Sequence, residues 1–404
     1  MRAETLRAGR GALAYGCVRW ASAIATAERL EDAVDAAAES IIDELGAASP
    51  DVVFVFLTDH YAPWFGRLGA SVRRVFPSAL LFGCTAGGAI GGGAEVEHEP
   101  ALSMTVATLP GVEVKPFRLG ADPATWRRAI PVSPGDDPAF LVLPCPLSSP
   151  VEELLSWMDD RWPGAVKTGG LASGGMTARG PAGNTLFLGD ERIPSGTVGL
   201  ALTGDITVDT VVAQGCRPIG SPLFVTRAER NVAFELDGEP AIRTLERLHA
   251  SLPPADRALF RHSLFMGVVM RDQETYRRGD FLIRNLLGID PQTGAIAVAA
   301  PLSTGMVVQF HLRDSVTSAQ DLSEMLSQYD QVTPSGALLF SCVGRGRLMY
   351  GRANHDSDVF RQAIGSVPLG GFFCNGEIGP VQRRTYLHGY TSAFALFRRR
   401  AGSA

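Results

Sequence analysis

Three short, unbroken apolar runs set the strongest limit on what this chain can fold into: VVFVFL (52–57), AFLVLPCP (139–146) and GALLFSC (336–342). A strand that is apolar at every position has to be covered on both faces, as a central strand of an α/β sheet is. Each run opens the same order of elements: buried strand, helix, small-residue turn, antiparallel pair. The first is followed by a helical stretch near 61–74, the turn GCTAGGAIG (83–91) and the alternating strand ALSMTVATL (101–109). After the second come the helix VEELLSWMDDRW (151–162), with Pro150 near its first turn, then GGLASGGM (169–176) and the strands NTLFLG and GTVGLALTG. After the third come a helix near 356–365, GGFFCNGEIGP (370–380) and RTYLHGYTSAFALF (384–397). The recurrence predicts internal duplication. In the first and third copies a histidine also follows a cysteine by fourteen places, Cys84 with His98 and Cys374 with His388.

Outside the repeats, ERLEDAVDAAAESIIDEL (28–45) places Leu30, Val34, Ala37, Ile41 and Leu45 on one helical face, with Gly46 as its stop. Residues 205–224, with Gly215, Pro218, Gly220 and Pro222, read as a passage between two halves. Block 223–335 then reads as strands, a helix begun by Pro240 and Pro/Gly turns. The expected fold is α/β, with two domains, 20–224 and 225–404, of mixed β-sheets covered by helices. Each is built from strand–helix–strand–hairpin units joined by right-handed crossovers.

The 37 basic and 42 acidic residues leave a formal charge of −5, and only Arg398, Arg399 and Arg400 form a basic run. Nucleic acid is therefore not an expected partner, because phosphate binding needs concentrated positive charge. The six cysteines lie far apart with no CxxC, which argues against a zinc framework and for reduced thiols. No apolar run approaches the roughly 20 residues of a membrane span. Arg2, Arg7 and Arg10 before GALAYGCV loosely suggest a signal peptide, but Arg19 and Trp20 interrupt it. The expectation is a cytoplasmic protein without membrane insertion.

The chain resembles bacterial FIST proteins, made of a FIST N-terminal and a FIST C-terminal domain. The resemblance rests on SPDVVFVFLTDHY, LLFGCTAGGAIG, TGGLASGG, ELDGEPAI, DFLIRNLLGID, LLFSCVGRG and GGFFCNGEIGP with its following LHGYTSAFALF, from about Trp20 to Phe397. It implies a sensory unit that binds a small metabolite such as an amino acid. It also implies haem as a cofactor in some members, where haem responds to nitric oxide. A eukaryotic relative carries an F-box, for which the stretch before the FIST region is too short. Output would then pass through a separate, unidentified protein partner.

The candidate site residues lie in the glycine-rich turns and strand ends. Cys84, Thr85, Gly87 and Gly88 fall in the first turn, and Cys374, Asn375 and Glu377 in the last. Cys342 and Arg345 follow the third apolar run, and Arg284 and Asn285 interrupt the apolar DFLIRNLLGID. Glycine permits close backbone approach and positive φ, so such turns can be purely geometric. Alternatively their amides hold an anionic or carbonyl group of a ligand. Neither a P-loop nor a Rossmann fingerprint is present. Arg345 either pairs with an acid or meets a ligand carboxylate, facing a common cleft with Glu377. Arg284 either meets a ligand or pairs with Glu377 or Asp280. Cys374 with His388 as base and Glu377 as orienter would make a hydrolase or amidase, but a cysteine after Phe372-Phe373 is more commonly an apolar wall, and the expectation is binding without catalysis. His60, His98, His311 and His388 are the histidines available to haem, none in a diagnostic setting.

Overall fold

The structure is a computed structural model and describes residues 18–46, 48–175 and 183–400. Cys17, the basic N-terminal stretch before it and Met176 of GGLASGGM lie outside the described residues. Each apolar run is a strand with a parallel partner. Val52–Thr58 pairs with Leu80–Ala86, Ala139–Pro144 with Lys167–Gly170, and Gly336–Cys342 with Leu369–Cys374. On its other side each takes an antiparallel neighbour: Leu102–Thr108, Thr197–Gly204 or Ser392–Arg398. An antiparallel outer strand follows: Arg19–Ala25, Val112–Leu119 or Thr207–Ala213. Residues 52–109 and 139–204 thus share one topology, and a third copy ends at residue 398.

Two-sided burial explains why the runs are solid. Val52, Phe54 and Phe56, Leu141 and Leu143, and Leu338 and Phe340 face one core shared by all three sheets. The alternate residues face outward onto each unit's own helices. Val53, Val55 and Leu57 meet Leu30–Leu45, Phe140 and Val142 meet Val151–Arg161, and Ala337 and Leu339 meet Ser315–Ser327 and His355–Ile364. Trp20 stacks on Phe397 and Phe56 on Phe372, both at 4.6 Å between ring centroids, locking the first unit against the third.

The small-residue turns are where the chain leaves its own sheet. After Leu80–Ala86 the hairpin Gly88–Gly91 and Ala94–Glu97 crosses to pair with Leu369–Cys374 of the third unit. The second unit's hairpin, Leu186–Leu188 and Glu191–Ile193, pairs with Leu80–Ala86 of the first. The third unit's hairpin, Glu377–Val381 and Arg384–His388, pairs with Lys167–Gly170 of the second. The exchange closes into a ring.

That crossing dictates one glycine per unit. Gly83, Gly169 and Gly371 stand opposite Val55, Val142 and Leu339. A Cβ on them would lie 1.8, 2.0 and 1.9 Å from the opposing carbonyl oxygens, so no side chain fits. This equivalence aligns Cys374 with Ala86 rather than with Cys84. In the hairpins His98 and Tyr390, with φ of 64° and 66°, occupy the corresponding turn. The shared fourteen-residue Cys–His spacing is therefore coincidental.

Between the outer strand Thr207–Ala213 and the helix Ser315–Ser327 of the third unit lies an antiparallel sheet of its own. Its long strand Cys216–Glu229 pairs with Val307–Arg313 along its first part and with Val232–Leu236 along its second, closing a six-stranded barrel. The stretch read as a passage is thus strand. Of its prolines, Pro222 falls in the register shift between Ile219 and Leu223, where a bulge needs no ladder donor, while Pro218 stays in register opposite His311.

Candidate functional site

A cleft of about 360 Å³ opens between the barrel and the C-terminal ends of the third unit's parallel strands. Ligands of open α/β sheets collect at such strand ends. Of the sequence candidates, Arg284 and Asn285 reach it from the barrel strand Phe281–Ile289, Cys342 from the end of Gly336–Cys342, and Asn375 from the turn after Leu369–Cys374. Gly344, Gly376 and Gly389 complete the wall. A groove of about 450 Å³ beside Thr207–Ala213 holds none of the candidate residues.

Arg284 is the cation of the cleft. Its side chain is 11% exposed, and its Nη2 donates to Glu152 Oε1 at 3.2 Å and to the Leu387 carbonyl at 3.0 Å. Burial pushes its pKa down, opposed by Glu152. Of the two acids expected as its partners, Asp280 instead accepts from Gln273 and the Arg277 amide, and Glu377 acts on Arg284 only through its field. Asn285 accepts from the Tyr390 hydroxyl at 2.5 Å, and the Arg313 guanidinium lies 4.7 Å over the Tyr390 ring. Arg313 also donates to the Gly344 carbonyl at 2.8 Å, fixing the floor of the cleft. Glu152, Tyr390 and Arg313 escaped the sequence reading. Tyr390 had a signal, because it follows Gly389 in the LHGYTS stretch; an exposed helix glutamate has none.

Cys374 and Glu377 lie beneath the cleft, both fully buried. The Thr391 amide and hydroxyl donate to Glu377 Oε2 at 3.0 and 2.6 Å, and the Cys374 thiol to Oε1 at 3.4 Å. Burial raises the Glu377 carboxyl to about 7 despite those bonds. Burial and the neighbouring carboxylate push the Cys374 thiol well up. His388, which reaches the cleft wall, has its Nε2 on the Gly379 carbonyl at 3.0 Å, and burial lowers it to about 4. A nucleophilic thiol needs a lowered pKa and a base at its sulfur. The sulfur here faces a carboxyl, and its pKa moves the other way.

Arg345 is also fully buried, and it is committed. It grips Asp356 with Nε to Oδ2 at 2.8 Å and Nη2 to Oδ1 at 3.0 Å, and gives Nη1 to Ser318 at 2.7 Å. Asp356 further accepts from Ser341 at 3.0 Å and Ser392 at 2.5 Å, and the arginine holds it far below the usual carboxylate range. A buried guanidinium requires such a partner, and Arg345 is not among the residues that line the cleft. It touches Glu377 only through its field.

Cys84, Thr85, Gly87 and Gly88 sit in the seam between units rather than at the cleft. Cys84 is in the shared core, Thr85 Oγ1 accepts from the Thr185 amide at 3.0 Å, and the Gly87 amide donates to Ser173 Oγ at 2.8 Å. A Cβ on Gly88 would lie 2.8 Å from the Phe373 ring, so the glycine serves the strand crossing. Of the other histidines, His311 is buried with Nδ1 against the Gln309 carbonyl at 3.0 Å, and His60 pairs with Thr58 at 3.1 Å. Among the described residues no group of acids, histidines and cysteines is arranged to hold a metal, and no helix is long and apolar enough to cross a membrane.

Comparison with known proteins agrees with this architecture. The FIST N domain model matches residues 51–239 and the FIST C domain model residues 244–380. An uncharacterized protein of Mycobacterium tuberculosis is 35% identical over 381 residues, covering 93% of this chain and 98% of its own. One from Mycobacterium bovis is 35% identical over 379 residues, covering 92% and 96%. The human F-box only protein 22 shares 55% identity over 42 residues, 10% of each chain. The chain belongs to the FIST family, whose domains are generally sensory or signal-transducing, and is built of a FIST N domain followed by a FIST C domain.

Proposed function

We propose that this protein is a cytoplasmic sensor that binds a small polar metabolite, an amino acid or a relative of one, without transforming it. The observation that carries the proposal is the cleft itself. Arg284, Asn285, Cys342 and Asn375 arrive from three separate chain segments at one cavity of about 360 Å³. That volume falls within the range of small-ligand sites, and a few convergent polar groups on an apolar wall are their usual lining. The raised Cys374 thiol and the lowered His388 support binding over cysteine catalysis. Because the cleft lies between the barrel and the three-unit core, occupancy would alter how the two meet. A separate protein partner would read that change.

Thermal-shift measurement of the full chain against amino acids, organic acids and haem tests this. A true ligand at about a hundred times its Kd adds roughly 2.7 kcal/mol to stability. Ala299→Trp, which fills the cleft from an exposed position, should abolish the shift. A shift that survives this substitution would place the ligand elsewhere, and the absence of any shift would end the proposal.

A further inference from the structure

The cleft has a neighbour. A second cavity of about 180 Å³ shares Glu152, Arg284 and Leu387 with it, so the Glu152–Arg284 pair stands as a partition between two lobes. The two partners are unequal. Arg284 is 11% exposed and Glu152 60%, and one contact of 3.2 Å joins them, far from the two-pronged grip that Arg345 has on Asp356. Arg284 Nε makes no hydrogen bond among the described residues, and Nη1 meets only the adjacent Ile283 carbonyl at 3.1 Å. A guanidinium already stripped of water, with its fork half used, is an oxyanion receptor lacking a full occupant.

We propose that Arg284 receives the carboxylate of a small organic acid and that Glu152 is its internal stand-in, displaced when the acid binds. The proposal rests on the assignment of the cleft as the ligand site and adds the class of ligand and the regulatory contact. An incoming carboxylate makes two parallel bonds to the fork where Glu152 makes one. Displacement also opens a connection: among the described residues, Arg284–Glu152 is the only ion pair between the barrel, residues 216–313, and the second unit. The barrel's other outward pairs, Arg217 with Asp314 and Arg278 with Asp321 and Glu324, go to the third unit. Binding would therefore free the barrel from the second unit's helix Val151–Arg161 while leaving it tied to the third.

The test is titration of the full chain with succinate and glutarate, and with their diamide counterparts succinamide and glutaramide, followed by calorimetry and thermal shift. At least one acid should bind and its amide should not. Glu152→Gln removes the competitor and should tighten that acid about fivefold, the ratio matching the upper end for a partly exposed ion pair. Arg284→Gln should weaken it by more than about tenfold, and Arg284→Lys, which keeps the charge without the fork, should fall between. Acid affinity unchanged or weakened in Glu152→Gln overturns the proposal, as does the absence of acid binding to both wild type and Glu152→Gln. Neutral compounds that bind and are blocked by Ala299→Trp would overturn it too, while sparing the cleft as a ligand site.

Discussion

Replacing Glu377 with glutamine should make the protein more stable at pH 8 and leave it nearly unchanged at pH 5. The carboxyl is fully buried, and Arg345, whose field reaches it, is bound to Asp356. Burial raises it from an ordinary 4.5 to about 7. Between those values the folded state holds a proton that the unfolded state has released, so stability falls as pH rises through this window and levels off above it. At about 1.4 kcal/mol for each tenfold change in proton affinity, the loss comes to roughly 3 kcal/mol. Glutamine cannot ionise, and its geometry suits the site. Its carbonyl can accept from the Thr391 amide and hydroxyl where Oε2 does, while its NH₂ faces the Cys374 sulfur, a weak acceptor. Urea unfolding of both proteins at pH 5, 6, 7 and 8 measures the difference directly. Other titrating groups, such as His388, are common to both and cancel. A gap that does not widen with pH, or a variant less stable at pH 8, would refute the argument.

Three further outcomes follow from the packing. Gly371→Ala, which sets a Cβ 1.9 Å from the Leu339 carbonyl oxygen, should cost more than about 3 kcal/mol or prevent folding, while Gly135→Ala, with open space around it, should change Tm little. Arg345→Met should cost about 3–5 kcal/mol by stranding Asp356, and adding Asp356→Asn should restore part of that in the same unfolding assay. Iodoacetamide at neutral pH should leave Cys374 unmodified in the native protein and label it in urea; mass-spectrometric detection of fast native labelling would contradict its raised, buried thiol.

The repeated unit was legible because its central strands are buried on both faces, which leaves no polar position in VVFVFL and makes the pattern hard to miss. Four cleft residues were legible for a related reason: Arg284, Asn285, Cys342 and Asn375 are polar or reactive groups set among apolar or glycine neighbours. Arg345 looked the same in sequence. Its partner Asp356 lies in the first turn of a helix, where an acid is ordinary, so nothing announced a buried pair. The hairpin exchange was hidden because a strand's pattern records that it is paired and buried, not which strand pairs with it. Barrel closure was hidden likewise, since Pro218 and Pro222 signal a broken ladder in any single-strand reading.

The ring of exchanged hairpins has a bearing on how the chain acquires its structure at the ribosome. The sheet assembled from residues 112–204 is finished by residues 377–388, and Leu80–Ala86 finds its second neighbour only in residues 186–188. Gly88–Gly91 in turn waits for residues 370–373. The first two units therefore emerge with strand edges that only later synthesis can cover, Gly88–Gly91 waiting longest, whereas the third unit finds its partner strand already made. Such edges are templates for the wrong partner, including the same strand on another nascent chain. A fragment cut between the two domains leaves Gly88–Gly91 and Lys167–Gly170 without their partners permanently, so the three sheets succeed or fail as one cooperative body.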